Sequence, residues 1–356
     1  MNDKPFWISN FTQFVISFIL TSFFVSFGTI AQAQLKNLNE LSKYEGQDRT
    51  QLLVDGAKRE GELAIYYAHP IIQIIADGFS KQYGIKVKTW RAGSEAIQQR
   101  LMAEQKAGKF DLDVLSNTAL DAEATFRQKL LQEINSPVHA SLIENALPLH
   151  RQWAAFNMDI YSLAYNTRLI AKENLPAKYE DLVLPQWRGQ LGIEADDSVW
   201  YGALLNELGE ARGKAIFEKI MVNQGVSIRK GHSLLSTMVA SGEVPMALDV
   251  YNWNPEQLKR KGAPIEVAWI SPTLALPSAV AILNKAPHPY AALLFYDYAL
   301  SEGQRFVADA GYVPTNNHFG SVYSTVKYKV IDPSFAANQQ ERWQKSYAEL
   351  LSKRNQ

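Results

Sequence analysis

Residues 182–201 read LVLPQWRGQLGIEADDSVWY, and the order of elements within them decides how the rest of the chain is read. A short helical run at 178–182 stops before Pro185, which has no N–H with which to continue a helix. Trp187-Arg188-Gly189 turns the chain into an alternating strand over 190–194. That strand leads into Asp196, Asp197 and Ser198, and a helix pattern begins at the aromatic pair Trp200-Tyr201. Strand, polar loop and helix form the unit of an open α/β sheet, where ligands bind at the carboxyl ends of strands. By itself the stretch does not separate binding from catalysis.

On the N-terminal side the same alternation repeats. Residues 62–67 (ELAIYY) read as a strand and 71–83 as a helix, with Ile71, Ile75 and Phe79 on one face before Gly84. A half-exposed strand over 85–90, a helix over 95–107 entered through Gly93-Ser94, and a strand over 112–115 ending in Ser116-Asn117 follow. Successive β-α-β units predict a parallel sheet with right-handed crossovers. Residues 153–165 are a long mixed stretch, long enough to leave one domain and enter another.

On the C-terminal side, helices are expected at 211–221 and 233–240 and strands at 226–229 and 245–250. Asn254-Pro255 reads as an N-cap and first helical position for a helix over 256–261. A strand over 266–269, an apolar strand over 278–283 and helices over 289–300 and 304–310 complete this section. The polar tail, 321–356, carries Trp343, Tyr347, Leu350 and Leu351 at helical spacing and predicts a final amphipathic helix.

The 356 residues suffice for two domains, and 47% apolar with 20% charged residues is an ordinary globular composition. Thirty-six basic side chains balance 36 acidic ones, so there is no electrostatic footprint for nucleic acid. The absence of cysteine excludes disulfides, thiolate zinc sites and a cysteine nucleophile. Residues 1–33 differ from the rest. Lys4 precedes an apolar run over 11–30 that ends in Ala31-Gln32-Ala33, the small-x-small pattern of a signal-peptidase site. A cleaved signal peptide is expected, and its retention as a membrane anchor is the competing reading.

Gly231-His232-Ser233-Leu234-Leu235 approaches the G-x-S-x-G elbow of hydrolases but lacks its last glycine. Ser233 as the cap of a helix explains the same residues. The six histidines show no metal-binding spacing. Arg229-Lys230-Gly231, and Arg91 before Gly93-Ser94, set positive charge at helix starts, an arrangement suited to carboxylates and phosphates. Tyr251-Asn252-Trp253 and Trp200-Tyr201 follow strands among Asp196, Asp197 and Asn254; they suit the lining of a ligand cleft as well as a core.

With these residues in view, the chain resembles the periplasmic solute-binding proteins of bacterial ABC importers, in the branch of ferric-ion, polyamine, thiamine and phosphonate binders. The resemblance rests on 63–67, 110–116 (FDLDVLS), Tyr165-Asn166-Thr167, 184–191 (LPQWRGQL), 242–250 (GEVPMALDV), Gly262-Ala263-Pro264, 288–297 (HPYAALLFYD), and 301–307 with 311–314. It implies an α/β, two-lobed type II periplasmic-binding fold with two crossing hinge strands near 156–163 and 269–277. Lobe 1 would comprise 34–157 plus 277–320, lobe 2 would comprise 158–276, and the helical tail 321–356 would pack on lobe 1.

The implied function is capture of a small solute in an interlobe cleft and its delivery to an inner-membrane ABC permease. The protein would be periplasmic, monomeric, without enzymatic activity and without a cofactor, and would not bind nucleic acid. The expected ligand-binding set is His69, Ser94, Asn117, Asp197, Ser198, Trp200, Tyr201, Tyr251 and Asn252. Ferric binders of this family hold the metal through phenolates, usually two adjacent tyrosines. Tyr251-Asn252 keeps one of these, so Tyr251 and His69 are the metal-binding candidates, with Fe³⁺ as transported ligand. A small anion such as a phosphonate fits the helix starts. A polyamine- or thiamine-type cation fits the acids and aromatics. From other classes, an exported hydrolase using Ser233 and a membrane-anchored sensor domain stay open.

Overall fold

The computed structural model describes residues 37–355, so the expected signal peptide lies outside the described residues. After α1 (Leu38–Ser42) and α2 (Arg49–Glu60), the chain alternates through β1 (Glu62–Tyr67), α3 (Ile71–Tyr83), β2 (Lys86–Arg91), α4 (Ser94–Lys106), β3 (Val114–Thr118) and α5 (Ala119–Arg127). Gly61 and Gly84 end α2 and α3 in the left-handed conformation, which costs a glycine no Cβ clash. The long mixed stretch is one strand, β4 (Ala154–Asn166), buried along its whole length.

Beyond β4, the expected helical run at 178–182 is a 3₁₀ turn, Tyr179–Val183. Then come β5 (Leu191–Glu194), α6 (Ser198–Leu208), α7 (Glu210–Gln224), β6 (Ser227–Arg229), α8 (His232–Ser241), β7 (Met246–Tyr251), α9 (Trp253–Arg260) and β8 (Ile265–Ala268). The strand β9 (Leu274–Ile282) precedes α10 (Pro289–Leu300), α11 (Gln304–Asp309), β10 (Lys329–Val330) and α12 (Pro333–Ser352). Helix α6 starts at Ser198, ahead of the expected Trp200. Asn254 and Pro255 lie inside the first turn of α9, because the chain already enters the helix at Trp253.

The strands form one sheet in the order β2-β1-β3-β9-β4-β7-β5-β6, with β10 added to β9 and β8 to β4. The sheet is not the all-parallel one expected from β-α-β units. Strands β2, β1 and β3 are parallel, as are β7, β5 and β6, but β9 and β4 join the two sets antiparallel. Strand β4 pairs with β9 from Ala154 to Ile160 and with β7 from Tyr161 onward, so one strand serves both lobes. The second crossing strand, β9, begins later than the sequence suggested.

One core gathers Leu53, Ile65, Phe79, Val114 and Phe295 around the first parallel set; another gathers Ile193, Leu204, Phe217 and Met246 around the second. Trp343, Tyr347 and Leu350 of α12 belong to the second core. The tail therefore packs chiefly on α6 of the second lobe and, near its start, on α5 of the first, so it spans both lobes rather than packing on the first alone as expected. Its apolar stripe fits the groove above Gly202, where α6 has no side chain to hold another helix away.

Candidate functional site

A cleft of about 800 Å³ opens where strand ends and helix starts of the two lobes meet. The first lobe supplies Ser94 at the start of α4 and Thr118 at the start of α5; the second supplies Asp197 and Ser198 at the start of α6, with Gly231 and His232 at the start of α8. The crossing strand adds Tyr161, and β7 ends in Tyr251.

Tyr161 and Tyr251 are register partners across the antiparallel pair β4–β7. Their hydroxyl oxygens lie 3.2 Å apart, and the Tyr161 hydroxyl donates to Asp197 Oδ1 at 3.1 Å. His232 Nε2 lies 3.7 Å from Asp197 Oδ2, with its ring 4.4 Å from that of Tyr251. Asp197 Oδ1 also accepts the Trp200 amide and so caps α6.

Burial disfavours the charged form of each of these groups. It holds both phenols well above the ordinary tyrosine range, with the nearby Asp197 charge adding to the effect. It pushes the Asp197 carboxyl up to about 8, reinforced by Glu194, and His232 down to about 4. In the cleft, burial thus favours the neutral forms of the two phenols, of Asp197 and of the His232 imidazole.

The basic helix start at Arg229-Lys230-Gly231 is used internally. Gly231, at φ 100° in the region that favours glycine, donates its amide to Glu194 Oε1 at 2.7 Å. Lys230 pairs with Asp196 at 2.8 Å. Beside the protonated Asp197, the lining holds Glu95, Asp121, Glu194 and Asp196 against the single lysine, so its carboxyl groups favour cations. The start of α4 has no side-chain cap.

Of the expected set, Ser94, Asp197, Ser198 and Tyr251 come together in the cleft, and the others do not line it. Trp200 and Tyr201 point into the second core, at 5.5 and 5.4 Å from the Phe217 ring, because α6 is wrapped by α7 and α12. Asn252 is fully buried and accepts the Ile160 amide, fastening the end of β7 to the crossing strand. Asn117 is buried and donates to the Ser94 carbonyl.

His69, the first-lobe metal candidate, is enclosed by Phe156, Trp253 and Tyr312 and faces Asp159 at 3.3 Å. It does not reach Tyr251. Ser233 is not the cap of α8, since Gly231 occupies that place; the Ser233 hydroxyl accepts from the Asn254 amide at 3.1 Å. Sequence reasoning missed Tyr161, His232 and Tyr347. For Tyr161 only the β4–β7 register could have supplied the signal. Among the described residues no group of three or more His, Asp or Glu side chains is placed to hold a metal ion.

Two α/β lobes on shared crossing strands, with a polar cleft between them, are the architecture of a solute-binding protein. The chain belongs to the bacterial extracellular solute-binding protein family, whose model matches residues 75–328. It is 24% identical over 204 residues to the Fe(3+)-binding periplasmic protein of Serratia marcescens. That match covers 56% of this chain and 59% of the Serratia protein. The fold is similar to that of iron-bound HitA from Pseudomonas aeruginosa, with a TM-score of 0.70 at 20% identity over 80% of this chain and 99% of that one. It is also similar to AfuA from Actinobacillus pleuropneumoniae, bound to fructose-6-phosphate, with a TM-score of 0.70 at 22% identity over 82% of this chain and 99% of that one.

Proposed function

We propose that this chain is the exported, periplasmic substrate-binding component of an ABC importer, and that its cargo is ferric ion. The observation that carries the cargo is the run of oxygens Tyr251 Oη, Tyr161 Oη and Asp197 Oδ1, spaced at 3.2 and 3.1 Å. A hard cation with octahedral oxygen ligands at about 2.1 Å separates neighbouring ligands by roughly 3 Å. Phenolate and carboxylate oxygens are the donors a hard trivalent ion prefers. The names of the Serratia protein and of HitA point the same way. Closure of the lobes over the ion would present a loaded monomer to the permease.

The test is titration of the mature protein with ferric citrate, followed by phenolate-to-iron charge-transfer absorption. Wild type should colour, Tyr251→Phe should weaken and shift the band, the Tyr161→Phe, Tyr251→Phe double variant should lose it, and an uncoloured wild type would reject the cargo.

A second reading, an organic cation of the polyamine or thiamine type, is favoured by Glu95, Asp121 and Glu194, which line the cleft in addition to the Lys230–Asp196 pair. Spermidine and thiamine belong on a melting plate beside iron, because a ligand at a hundred times its Kd adds about 2.7 kcal/mol to the folded state. A phosphonate is a further arm, for which the uncapped start of α4 is the support. The protein acts without turnover in this reading. Ser233→Ala should leave an esterase assay at its background, and a loss of ester cleavage would restore the hydrolase reading.

A further inference from the structure

Helix α12 packs on α6 with an unusually close approach at Gly202, where an added β-carbon would come within 2.1 Å of the Trp343 ring. One turn further on, the Tyr347 ring lies 5.3 Å from that of Tyr201, and its hydroxyl donates to the Glu194 carbonyl at the end of β5. The peptide joining Glu194 to Ala195 is then held on both sides, since the Ala195 N–H donates to the Arg229 carbonyl at 2.9 Å, and the Glu194 N–H donates to the buried Asp249 carboxyl at 3.0 Å. The Glu194 carboxylate in turn accepts the amides of Asp196 at 2.5 Å and Gly231 at 2.7 Å. The loop leading to Asp197 therefore departs from a clamped peptide. Gln344, Tyr347 and Ala348 also line the cleft. Near its other end, α12 is tied to the first lobe by Arg127, which donates to Asn338 Oδ1 at 2.8 Å and to the Ser334 carbonyl at 2.9 Å.

Taking the cleft as the solute site, as in the reading above, we infer that α12 is a wall of that cleft and that Tyr347 is a positioning residue. By clamping the Glu194 carbonyl, Tyr347 sets where the Asp197 carboxylate stands relative to Tyr161 and Tyr251. Tyr347 acts through that peptide and need not touch the solute.

The variant that isolates this role is Tyr347→Phe, which keeps the ring on Tyr201 and removes only the hydroxyl. Hydrogen exchange of the amides at 195–200 in the unloaded mature protein reads the clamp without reference to any cargo. Ferric citrate titration reads its consequence. Exchange should quicken about tenfold, and ferric affinity should fall about tenfold with a displaced charge-transfer maximum, the change expected when one buried carbonyl loses its partner. Unchanged exchange overturns the inference whatever the cargo. So does quicker exchange with affinity and band both at wild-type values, or a lowered melting temperature as the only effect. If the wild type itself gives no ferric band, the ferric reading fails separately. The exchange result then still decides for or against the Tyr347 clamp.

Discussion

The indole of Trp343 occupies the space above Gly202 that a side chain would need, with its Cδ2 2.1 Å from where a β-carbon would stand. Both residues are buried, and the contact joins the C-terminal helix to the second lobe. Gly202→Ala must push the helices apart, and overpacking of this kind costs about 1–3 kcal/mol. A drop of several degrees in the melting temperature is expected. An unchanged transition would mean that the helices separate freely.

Asp159, on the crossing strand, accepts from Trp253 Nε1 and Asn157 Nδ2, both at 2.8 Å, and from Ser278 Oγ at 2.5 Å, with His69 at 3.3 Å. Burial alone would raise its carboxyl, but the His69 charge and the hydrogen bonds outweigh burial and hold it below the ordinary carboxylate range. A carboxyl depressed in the folded state stabilises fully above its unfolded value, about 3.9, and loses that contribution as pH falls through the folded value. Asp159→Ala strips the partner from several buried donors and should cost about 3–5 kcal/mol near neutral pH. In acid the gap between variant and wild type should close. A gap that stays constant from pH 7 to pH 3 would show that the carboxylate charge is not the source.

Asp197 works with the opposite sign. Its carboxyl, raised by burial and by Glu194 to about 8, keeps a proton in the folded state that the unfolded chain releases near pH 4. Over that interval the folded state binds more protons, so stability falls as pH rises. Asp197→Asn mimics the protonated form and removes this slope. The unloaded variant should melt higher than wild type at pH 8 and near it at pH 4, while losing ferric affinity. Parallel melting curves from pH 4 to 8 would contradict the raised carboxyl.

Loading with ferric ion must expel protons from the Tyr161 and Tyr251 phenols, which burial holds in the protonated form. Metal binding by groups that must deprotonate is pH-dependent and releases protons. Apparent affinity should therefore climb with pH, and loading in weakly buffered solution should acidify it. Tyr161→Phe should release fewer protons and bind at least tenfold more weakly, since a charged ligand is gone. Equal proton release from variant and wild type would exclude Tyr161 from the donor set.

Local patterns carried much of this protein. The strand at 62–67, the helices over 71–83 and 289–300, and the amphipathic tail helix are legible because each repeats at its own period and is closed by a glycine or a change of polarity. Asp197, Ser198 and Tyr251 could be placed at the cleft because the loops of an open α/β sheet that border a ligand cleft follow strand ends. Trp200, Tyr201 and Asn252 share that local signal, yet a neighbouring helix or strand covers each of them. Aromatic residues at a helix start look alike from the sequence whether they meet solute or another helix.

By itself the sequence determined the alternation of strands and helices, the kinship with solute-binding proteins and the stretch that borders the cleft. The tertiary structure decided that Tyr161 stands beside Tyr251, that Glu194 occupies the helix start once available to an anion, and that α12 walls the cleft from the second lobe. The physical reason is sequence separation. Periodicity and capping act within a few residues, whereas Tyr161 and Tyr251 are 90 residues apart and meet only through strand register.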